Sequence, residues 1–286
     1  MLNTWQHVGR NRPCPVCGKA DWCIISPDGN AAICYRVPSD RERRNGGWLH
    51  FLGDAGDRRG WREAAARPSQ RMAPTSLLDA AAYLARLRAA WGPGQASALA
   101  ASIDASEEAV ERLEAAWDER HQAYAFPMRD GDGRIVGIRL RNNEGRKWAV
   151  TGSRSGLFYP ADLSAEELVI LEGPTDTAAA LTIGLAAVGR ASCCTGAEDL
   201  AVLIRRLRVK RVTIVSDNDR AHRRERDYAV WRPGSLGAES LAAKLGCMYR
   251  IVMPPLKDFR EWASADKLDK AAFENYAHNT RWRIHP

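Results

Sequence analysis

The sequence predicts an α/β protein in which a small cysteine-rich β unit precedes a core with a helical and strand-rich subdomain and a parallel sheet covered by helices. Three observations lead to this prediction. Four of the seven cysteines lie within the first 34 residues. Residues 76–118 are rich in Ala and Leu at helical spacing. From residue 168 onward, apolar runs typical of strands alternate with helical stretches, and this order indicates a parallel sheet.

The composition is typical of a soluble protein that buries a hydrophobic core. Of the 286 residues, 45% are hydrophobic and 27% are charged. No apolar run approaches the roughly 20 residues that a membrane-spanning helix needs. Residues 1–10 lack the apolar segment of a secretory signal. We therefore expect a cytoplasmic protein that has no membrane partner.

The formal charge of +7 is concentrated in two blocks of the sequence. Residues 1–75 carry a net charge of +5, and residues 119–160 carry +4. Arginine supplies most of the positive charge, and its planar guanidinium matches the oxygens of a phosphate. A codon bias toward Arg is the alternative explanation. Because the charge is localised, we expect contact with nucleic acid rather than a uniformly basic surface.

Shifts in composition predict four segments. Residues 1–53 form the cysteine-rich domain, and the polar residues 54–75 form a linker. Residues 76–160 form a subdomain with an N-terminal helical part, an N-cap at Ser106, and two basic strands at 124–128 and 135–140. Residues 161–286 form the α/β domain. Its predicted strands are 168–171, 186–188, 212–215 and 250–253, and its predicted helices are 176–183, 197–207 and 238–245.

The N-terminal cysteines have the spacing of a metal site. Cys14 and Cys17 form a CxxCG turn that directs two thiolates toward one point. If residues 28–29 are a two-residue hairpin loop, Cys23 lies directly opposite Cys34 on the neighbouring strand. Four such thiolates fit one tetrahedral Zn²⁺, which would supply much of the folding free energy of so small a unit.

Two points about this unit stay open on sequence alone. His50 is a rival for the fourth zinc position, and buried thiols without a metal are a further alternative. The aromatic residues Trp22, Tyr35 and Trp48 either stack on nucleic-acid bases or form the core of the small sheet.

Acidic residues follow three of the predicted parallel strands. Glu172 comes directly after one strand, Asp217 and Asp219 follow the second, and Asp258 follows the third. The carboxyl ends of parallel strands meet at one edge of a sheet, where α/β proteins bind their ligands. Carboxylates gathered there suit a hard cation such as Mg²⁺. The alternative is a set of unrelated, solvated loop acids.

The motifs Glu172-Gly173-x-x-Asp176, Asp217-x-Asp219 and Lys257-Asp258 occur in this order along the core. This set resembles the TOPRIM domain of bacterial and phage DNA primases, and Cys194-Thr195-Gly196 resembles the GT turn of that domain. Residues 126–139, with the later residues 147 and 156–159, resemble the basic N-terminal part of the primase core. The cysteine-rich segment occupies the place of the primase zinc ribbon. The resemblance therefore covers nearly the whole chain.

The resemblance implies a DNA primase that makes short RNA primers on single-stranded DNA by metal-dependent nucleotidyl transfer. It implies catalytic roles for Glu172, Asp217, Asp219 and Asp258, and three of these, Asp217, Asp219 and Asp258, would bind Mg²⁺ or Mn²⁺. Glu172 would act as a general base or as a metal ligand, with support from Asp176. The residues implied in binding template or triphosphate are Arg129, Arg139, Arg141 and Lys147. Cys14, Cys17, Cys23 and Cys34 would hold Zn²⁺.

The implied partners are the single-stranded template and ribonucleoside triphosphates. No GxxxxGK[ST] motif is present, so a helicase would be a separate protein, as for stand-alone primases of phages or mobile elements. Two alternative functions remain: a TOPRIM nuclease, and a non-catalytic zinc-ribbon protein that binds nucleic acid or mediates recombination.

The sequence departs from the primase pattern in three places. The cysteine-rich segment lacks the second CxxC of many relatives. Arg260 stands where cellular primases often have a second Asp. Residues 220–233, which include Arg223, Arg224 and Arg226, form a basic insert after Asp219 that is either a loop contacting nucleic acid or a solvated surface loop.

Overall fold

A computed structural model describes residues 5–9, 11–20, 23–41, 43, 47–52, 77–193, 195–219, 222–223, 230–231 and 233–284. The predicted linker at 54–75 and the residues Trp22, Cys194, Arg224 and Arg226 lie outside these described residues. The chain divides into two compact units, Met1–Thr75 and Ser76–Pro286. Within the described residues, no helix has both the length and the apolar character needed to cross a bilayer.

The first unit contains strands β1 (Gln6–His7), β2 (Ile24–Ile25), β3 (Ala31–Cys34) and β4 (Trp48–Phe51). The helices of the second unit are α1 (Ala80–Ala89), α2 (Pro93–Ile103), α3 (Glu107–Arg112), α4 (Gly173–Thr182), α5 (Ala197–Leu207), α6 (Pro233–Leu245), α7 (Phe259–Ala265) and α8 (Lys270–His278). Its strands are β5 (Ala116–Asp118), β6 (Ala123–Arg129), β7 (Ile135–Arg141), β8 (Lys147–Ala149), β9 (Leu157–Phe158), β10 (Glu167–Glu172), β11 (Ala187–Arg190), β12 (Arg211–Val215), β13 (His222–Arg223), β14 (Val230–Trp231) and β15 (Met248–Val252).

The first unit is built on an antiparallel sheet in the order β1-β2-β3-β4. Ile24 pairs with Ile33, so the predicted register of the β2–β3 hairpin is confirmed. The loop is longer than predicted, because the N–H of Ser26 donates to the carbonyl oxygen of Ala31 at 2.8 Å and leaves four residues in the turn. The predicted two-residue loop and the observed four-residue loop are centred on the same point of the chain, so the register of the two strands is unchanged. Gly29 within the turn has φ +78°, a conformation that favours glycine.

The second unit contains a nine-stranded sheet in the order β15-β12-β10-β11-β9-β6-β7-β8, with β5 added beside β6. The four strands β15, β12, β10 and β11 are parallel, as predicted. Strand β9 runs antiparallel to β11 and also pairs with β6, so it joins the parallel part to the antiparallel part. One sheet thus runs through residues on both sides of position 160, and a domain boundary there stays a prediction.

The parallel strands are buried on both faces. Val169 and Leu171 belong to a core formed with α4, α7 and α8, whereas Leu168 and Ile170 belong to a core formed with α5 and α6. This explains why the sequence of β10 is a continuous apolar run rather than an alternating one. Helix α4 begins three residues earlier than predicted, because Gly173 has φ +77° and turns the chain directly from strand into helix.

Candidate active site and metal centre

The four cysteines of the first unit converge on one point. The Sγ atoms of Cys14, Cys17, Cys23 and Cys34 all lie within 4.8 Å of one another. Sγ of Cys23 is 3.7 Å from that of Cys17 and 3.8 Å from that of Cys34. Since a Zn–S bond is about 2.3 Å long, sulfurs at the corners of a tetrahedron around Zn²⁺ are about 3.8 Å apart. The cluster therefore has the dimensions of a structural zinc site.

Backbone groups around the cluster favour thiolates over thiols. Sγ of Cys34 accepts hydrogen bonds from the N–H groups of Arg36 at 3.4 Å and Val37 at 3.3 Å. Such bonds stabilise the charged form of sulfur. The neighbouring thiols, first of all that of Cys14, lower the pKa of Cys17 and raise the pKa of Cys34, and the backbone N–H of Arg36 opposes the rise at Cys34.

His50 does not belong to this cluster. Its Nε2 is 2.8 Å from the carbonyl oxygen of Val37, and the group of side chains that could hold a metal ion consists of the four cysteines without the histidine. Trp48 is buried, and Tyr35 packs half-buried against the small core of this unit. Both positions agree with a role in the core rather than in base stacking.

The acidic residues of the second unit lie at the carboxyl edge of the parallel strands. Glu172 is the last residue of β10, and Asp217 lies two residues beyond the end of β12. Asp258 precedes α7, where its Oδ1 accepts the N–H of Glu261 at 2.8 Å. Strand β10 leads into α4 on one face of the sheet, and β12 leads into α6 on the other. A crevice opens between neighbouring strands whose connections diverge in this way.

Backbone hydrogen bonds hold the two acidic loops together. The N–H of Asn218 donates to the carbonyl oxygen of Lys257 at 2.8 Å, which ties the loop after β12 to the loop after β15. Oδ2 of Asp219 accepts the N–H of Gly234 at 3.2 Å. A Cβ at Gly234 would lie 2.6 Å from the carbonyl oxygen of Asp217, so glycine lets α6 begin directly against the acidic loop.

The carboxyl groups raise one another's pKa values. Burial, followed by the charge of Asp258, raises the pKa of Asp176 to about 8. Burial, followed by the charge of Glu172, raises the pKa of Asp217 to about 9. Asp219 also contributes to raising the pKa of both Glu172 and Asp217. The structure thus brings all four predicted catalytic carboxylates, together with Asp176, into one electrostatic environment.

A buried arginine that the sequence analysis missed lies beside Glu172. Glu172 and Arg190 are register partners at the ends of β10 and β11, and Arg190 is only 3% exposed. Burial raises the pKa of Glu172, and the charge of Arg190 opposes that shift. Nη1 of Arg190 donates to the carbonyl oxygen of Cys193 at 2.8 Å, and the N–H of Cys193 donates to the carboxylate of Glu172. Arg190 thus also holds the loop that contacts Glu172.

Two of the four predicted basic residues lie near the carboxylates. Lys147 and Arg141 are cross-strand partners on β8 and β7. Lys147 keeps contact with solvent, but the surrounding protein lowers the pKa of its ammonium group, and the charge of Asp176 opposes that shift. The charges of Asp258 and Asp217, like that of Asp176, act to raise the pKa of Lys147. The ammonium group of Lys147 is therefore close enough to these aspartates to interact with their negative charge.

The other two predicted basic residues are engaged within the fold. Arg129 is buried, forms an ion pair with Glu114, and donates through Nη1 to the carbonyl oxygen of Gly133 at 3.0 Å. Arg139 is buried and donates through Nη2 to the carbonyl oxygen of Ala191 at 3.2 Å. A role for either in binding template or triphosphate stays a prediction.

The basic insert contains a short antiparallel ribbon in its described part. His222 pairs with Trp231 and Arg223 with Val230, which joins β13 to β14. Arg224 and Arg226 lie outside the described residues, so the choice between a nucleic-acid contact and a solvated loop stays open.

Comparison with known proteins identifies the fold. No family model matches the sequence, and no curated protein matches it. The structure is similar to the DnaG catalytic core, with a TM-score of 0.54 and 16% identity over 71% of this chain and 79% of the other. It is also similar to the zinc-binding and RNA polymerase domains of the Aquifex aeolicus primase, with a TM-score of 0.54 and 14% identity over 99% of this chain and 80% of the other.

A third similar structure is the DnaG primase catalytic domain bound to single-stranded DNA, with a TM-score of 0.53 and 15% identity over 71% of this chain and 78% of the other. The similarity to the Aquifex aeolicus structure extends over 99% of this chain and therefore includes residues of both units. The chain therefore shares the fold of the DnaG-type primases, from the zinc-binding domain through the catalytic core.

Proposed function

We propose that this chain is a DNA primase that synthesises short RNA primers on single-stranded DNA by metal-dependent nucleotidyl transfer. The observation that carries the proposal is the group of carboxylates at the carboxyl edge of the parallel sheet, in which neighbouring negative charges help to raise the pKa values of Glu172, Asp176 and Asp217. The primase fold and the four-cysteine centre support it. The TOPRIM motifs of the sequence fall on these same carboxylates.

The acidic group fits divalent cations of the Mg²⁺ or Mn²⁺ type. Its donors are hard carboxylate oxygens, and burial followed by the charges of neighbouring acids raises the pKa of Asp217 to about 9, a cost that a bound cation would offset. Asp217, Asp219 and Asp258 would hold the ions. Bound ions would neutralise charge that develops on the attacking and leaving oxygens.

The side chains of the protein would then perform three tasks. Glu172 would accept the proton of the attacking 3′-hydroxyl, for which a raised carboxylate pKa is favourable near neutral pH. A bond forms between the 3′-oxygen and the α-phosphorus, the bond from that phosphorus to the bridging oxygen breaks, and pyrophosphate leaves. Lys147 would hold phosphate oxygens through its charge.

The first unit would bind the single-stranded template, which would make zinc a structural rather than a catalytic metal. Unwinding of duplex DNA would need a separate helicase. A stand-alone phage or mobile-element origin, and action in the cytoplasm, belong to this proposal as expectations.

The test is incorporation of labelled ribonucleotides on circular single-stranded DNA with Mg²⁺. We expect primers from the wild type and at least a hundredfold loss in the double variant Asp217→Asn, Asp219→Asn. Asp162→Asn is the matched control, because Asp162 is 69% exposed and forms an ion pair with Arg112 at the surface. Wild-type yield from the double variant would overturn the assignment.

The same reactions without nucleotides test the competing function. Degradation of the DNA that requires Mg²⁺ and the carboxylates, with no primers formed when nucleotides are present, would replace primer synthesis by a nuclease activity. Template binding with neither activity would indicate the non-catalytic alternative.

A further inference from the structure

The turn that follows β3 supplies backbone donors to two sulfurs of the cysteine cluster. The N–H of Tyr35 donates to Sγ of Cys23. The N–H groups of Arg36 and Val37 donate to Sγ of Cys34 at 3.4 and 3.3 Å. Successive backbone N–H groups in a turn form a concavity that favours negative charge. This turn is therefore suited to sulfurs that are thiolates.

Arg36 brings its side chain to the same cluster. Nη1 of Arg36 lies 4.0 Å from Sγ of Cys23. Arg36 is half-buried, and Cys23 is buried. At this distance the guanidinium acts on the sulfur mainly through its charge rather than through a short hydrogen bond. Because a guanidinium keeps its proton at every physiological pH, that positive charge is permanent.

A zinc ion bound by the cluster would leave a negative charge that the protein has to offset. Four thiolates around one Zn²⁺ carry an excess of two negative charges. Cys14, Cys23 and Cys34 are each at most 1% exposed, so water reaches these sulfurs poorly. Burial of charge without a partner is costly. Backbone N–H groups supply partial positive charges, whereas Arg36 supplies a full charge beside a buried sulfur.

Arg41 of the same unit provides a matched comparison. Its guanidinium carbon Cζ lies 4.7 Å from the centroid of the Phe51 ring, and its Nε is 3.7 Å from Oδ2 of Asp40. Its side chain is 42% exposed. Replacing Arg41 by a neutral residue removes the same formal charge from the unit as replacing Arg36, but it changes contacts with a ring and a surface carboxylate instead of a contact with sulfur.

We infer that Arg36 is a positioning residue of the metal centre, whose guanidinium offsets the negative charge of the zinc-bound thiolate of Cys23 and so strengthens the retention of Zn²⁺. Arg36 acts on the metal through the sulfur and is not itself a ligand. Groups that contact metal ligands in this way typically change metal affinity 10- to 100-fold. The inference concerns the first unit, goes beyond the proposed function, and does not depend on primer synthesis.

The first measurement is zinc affinity. The zinc-loaded full chain, kept reduced, is titrated with a chromophoric zinc chelator of known affinity. We expect Arg36→Gln to raise the dissociation constant of Zn²⁺ about 10-fold, the lower end of the usual range for such groups. Arg36→Lys should lie between this variant and the wild type, because it keeps the charge but not the guanidinium geometry. Arg41→Gln should retain the affinity of the wild type.

The second measurement reports the electronic state of the sulfurs. Co²⁺ in place of Zn²⁺ gives an absorption band in which charge moves from sulfur to metal. Loss of a positive charge beside a thiolate raises the energy of its lone pairs, so the band should move to longer wavelength in Arg36→Gln and stay in place in Arg41→Gln. A purely structural role of Arg36 would not move this band.

Each outcome decides the inference. Wild-type zinc affinity and an unmoved band in Arg36→Gln would overturn it, and the same result with weaker binding of a single-stranded oligonucleotide would assign Arg36 to the template instead. If Arg36→Gln loses its metal during purification, Arg36→Lys decides: retained zinc supports the role of the charge, and equal loss overturns it. A wild type that shows the effect of Arg36 but makes no primers would refute primer synthesis and leave this inference standing.

Discussion

Glu172 and Arg190 lie level with each other at the ends of two neighbouring parallel strands, where Arg190 is buried and Glu172 is half-buried. Burial of either charge alone would be costly, and the pair reduces that cost. Arg190 also bonds to Cys193, whose N–H contacts the same carboxylate. The charge of Arg190 therefore favours the ionised form of Glu172, and its bond to Cys193 holds the loop that contacts this carboxylate.

Replacing this arginine should destabilise the second unit through Glu172. We expect Arg190→Met to lower the free energy of unfolding by about 1–3 kcal/mol, because Glu172 loses a nearby opposite charge and the carbonyl of Cys193 loses its hydrogen bond. Adding Glu172→Gln should restore part of that loss, since an amide needs no counter-charge. Urea denaturation of the two single variants and the double variant measures the coupling. Additive losses would show that the two side chains act independently.

The pH dependence of stability should report the buried aspartates. The pKa of Asp176 is about 8 in the folded protein and near 3.8 when exposed, so the folded state holds a proton that the unfolded state releases over this range. Without Mg²⁺, stability should therefore fall as pH rises from about 4 to 8, by at most roughly 1.4 kcal/mol per pH unit for one group. Thermal unfolding of Asp176→Asn should show a flatter profile. Parallel profiles of wild type and variant would contradict the shift.

Zinc should bind with a stoichiometry set by the four cysteines. We expect one Zn²⁺ per chain, loss of that metal in Cys23→Ser or Cys34→Ser, and full retention in His50→Ala, because His50 bonds to a backbone carbonyl instead. Metal analysis of the purified variants measures this. A strong chelator should also unfold the first unit, since the metal supplies much of its folding free energy. Loss of zinc in His50→Ala would contradict the ligand set.

Close packing of α4 on the sheet should depend on Gly189. A Cβ there would lie 2.1 Å from Oγ1 of Thr177 and 2.5 Å from the carbonyl oxygen of Gly173, so the helix would have to move. We expect Gly189→Ala to cost about 1–3 kcal/mol and to reduce primer synthesis strongly, because α4 follows Glu172 directly. Gly94→Ala is the control, since nothing lies within 4 Å of its added methyl group. Equal stability and activity of both variants would refute this packing argument.

Local patterns in the sequence were sufficient to predict part of the fold. The register of the β2–β3 hairpin follows from the position of its turn, and strand β10 follows from its apolar run. The closeness of Glu172 and Asp217 could be predicted because each lies at or just beyond the carboxyl end of a parallel strand. In each case the controlling interaction lies within a few residues of sequence or obeys a general rule of parallel sheets.

The remaining features depend on which strands become neighbours. The sequence does not show that β11 lies next to β10, and so it could not pair Arg190 with Glu172. It also could not distinguish Arg141, near the cleft, from Arg139, which bonds to the carbonyl oxygen of Ala191. These two arginines are two residues apart on β7 and so share one face of the sheet, and only the tertiary structure shows that Arg139 is held by a backbone carbonyl.

The shared nine-stranded sheet has a consequence for how catalysis would proceed. Carboxylates come from its parallel part and cations from its antiparallel part and from α7, and β9 hydrogen-bonds the two parts into one framework. If the carboxylates bind metal ions and Lys147 binds phosphate, as proposed, a single hydrogen-bonded framework sets the distance between the two groups when the chain folds.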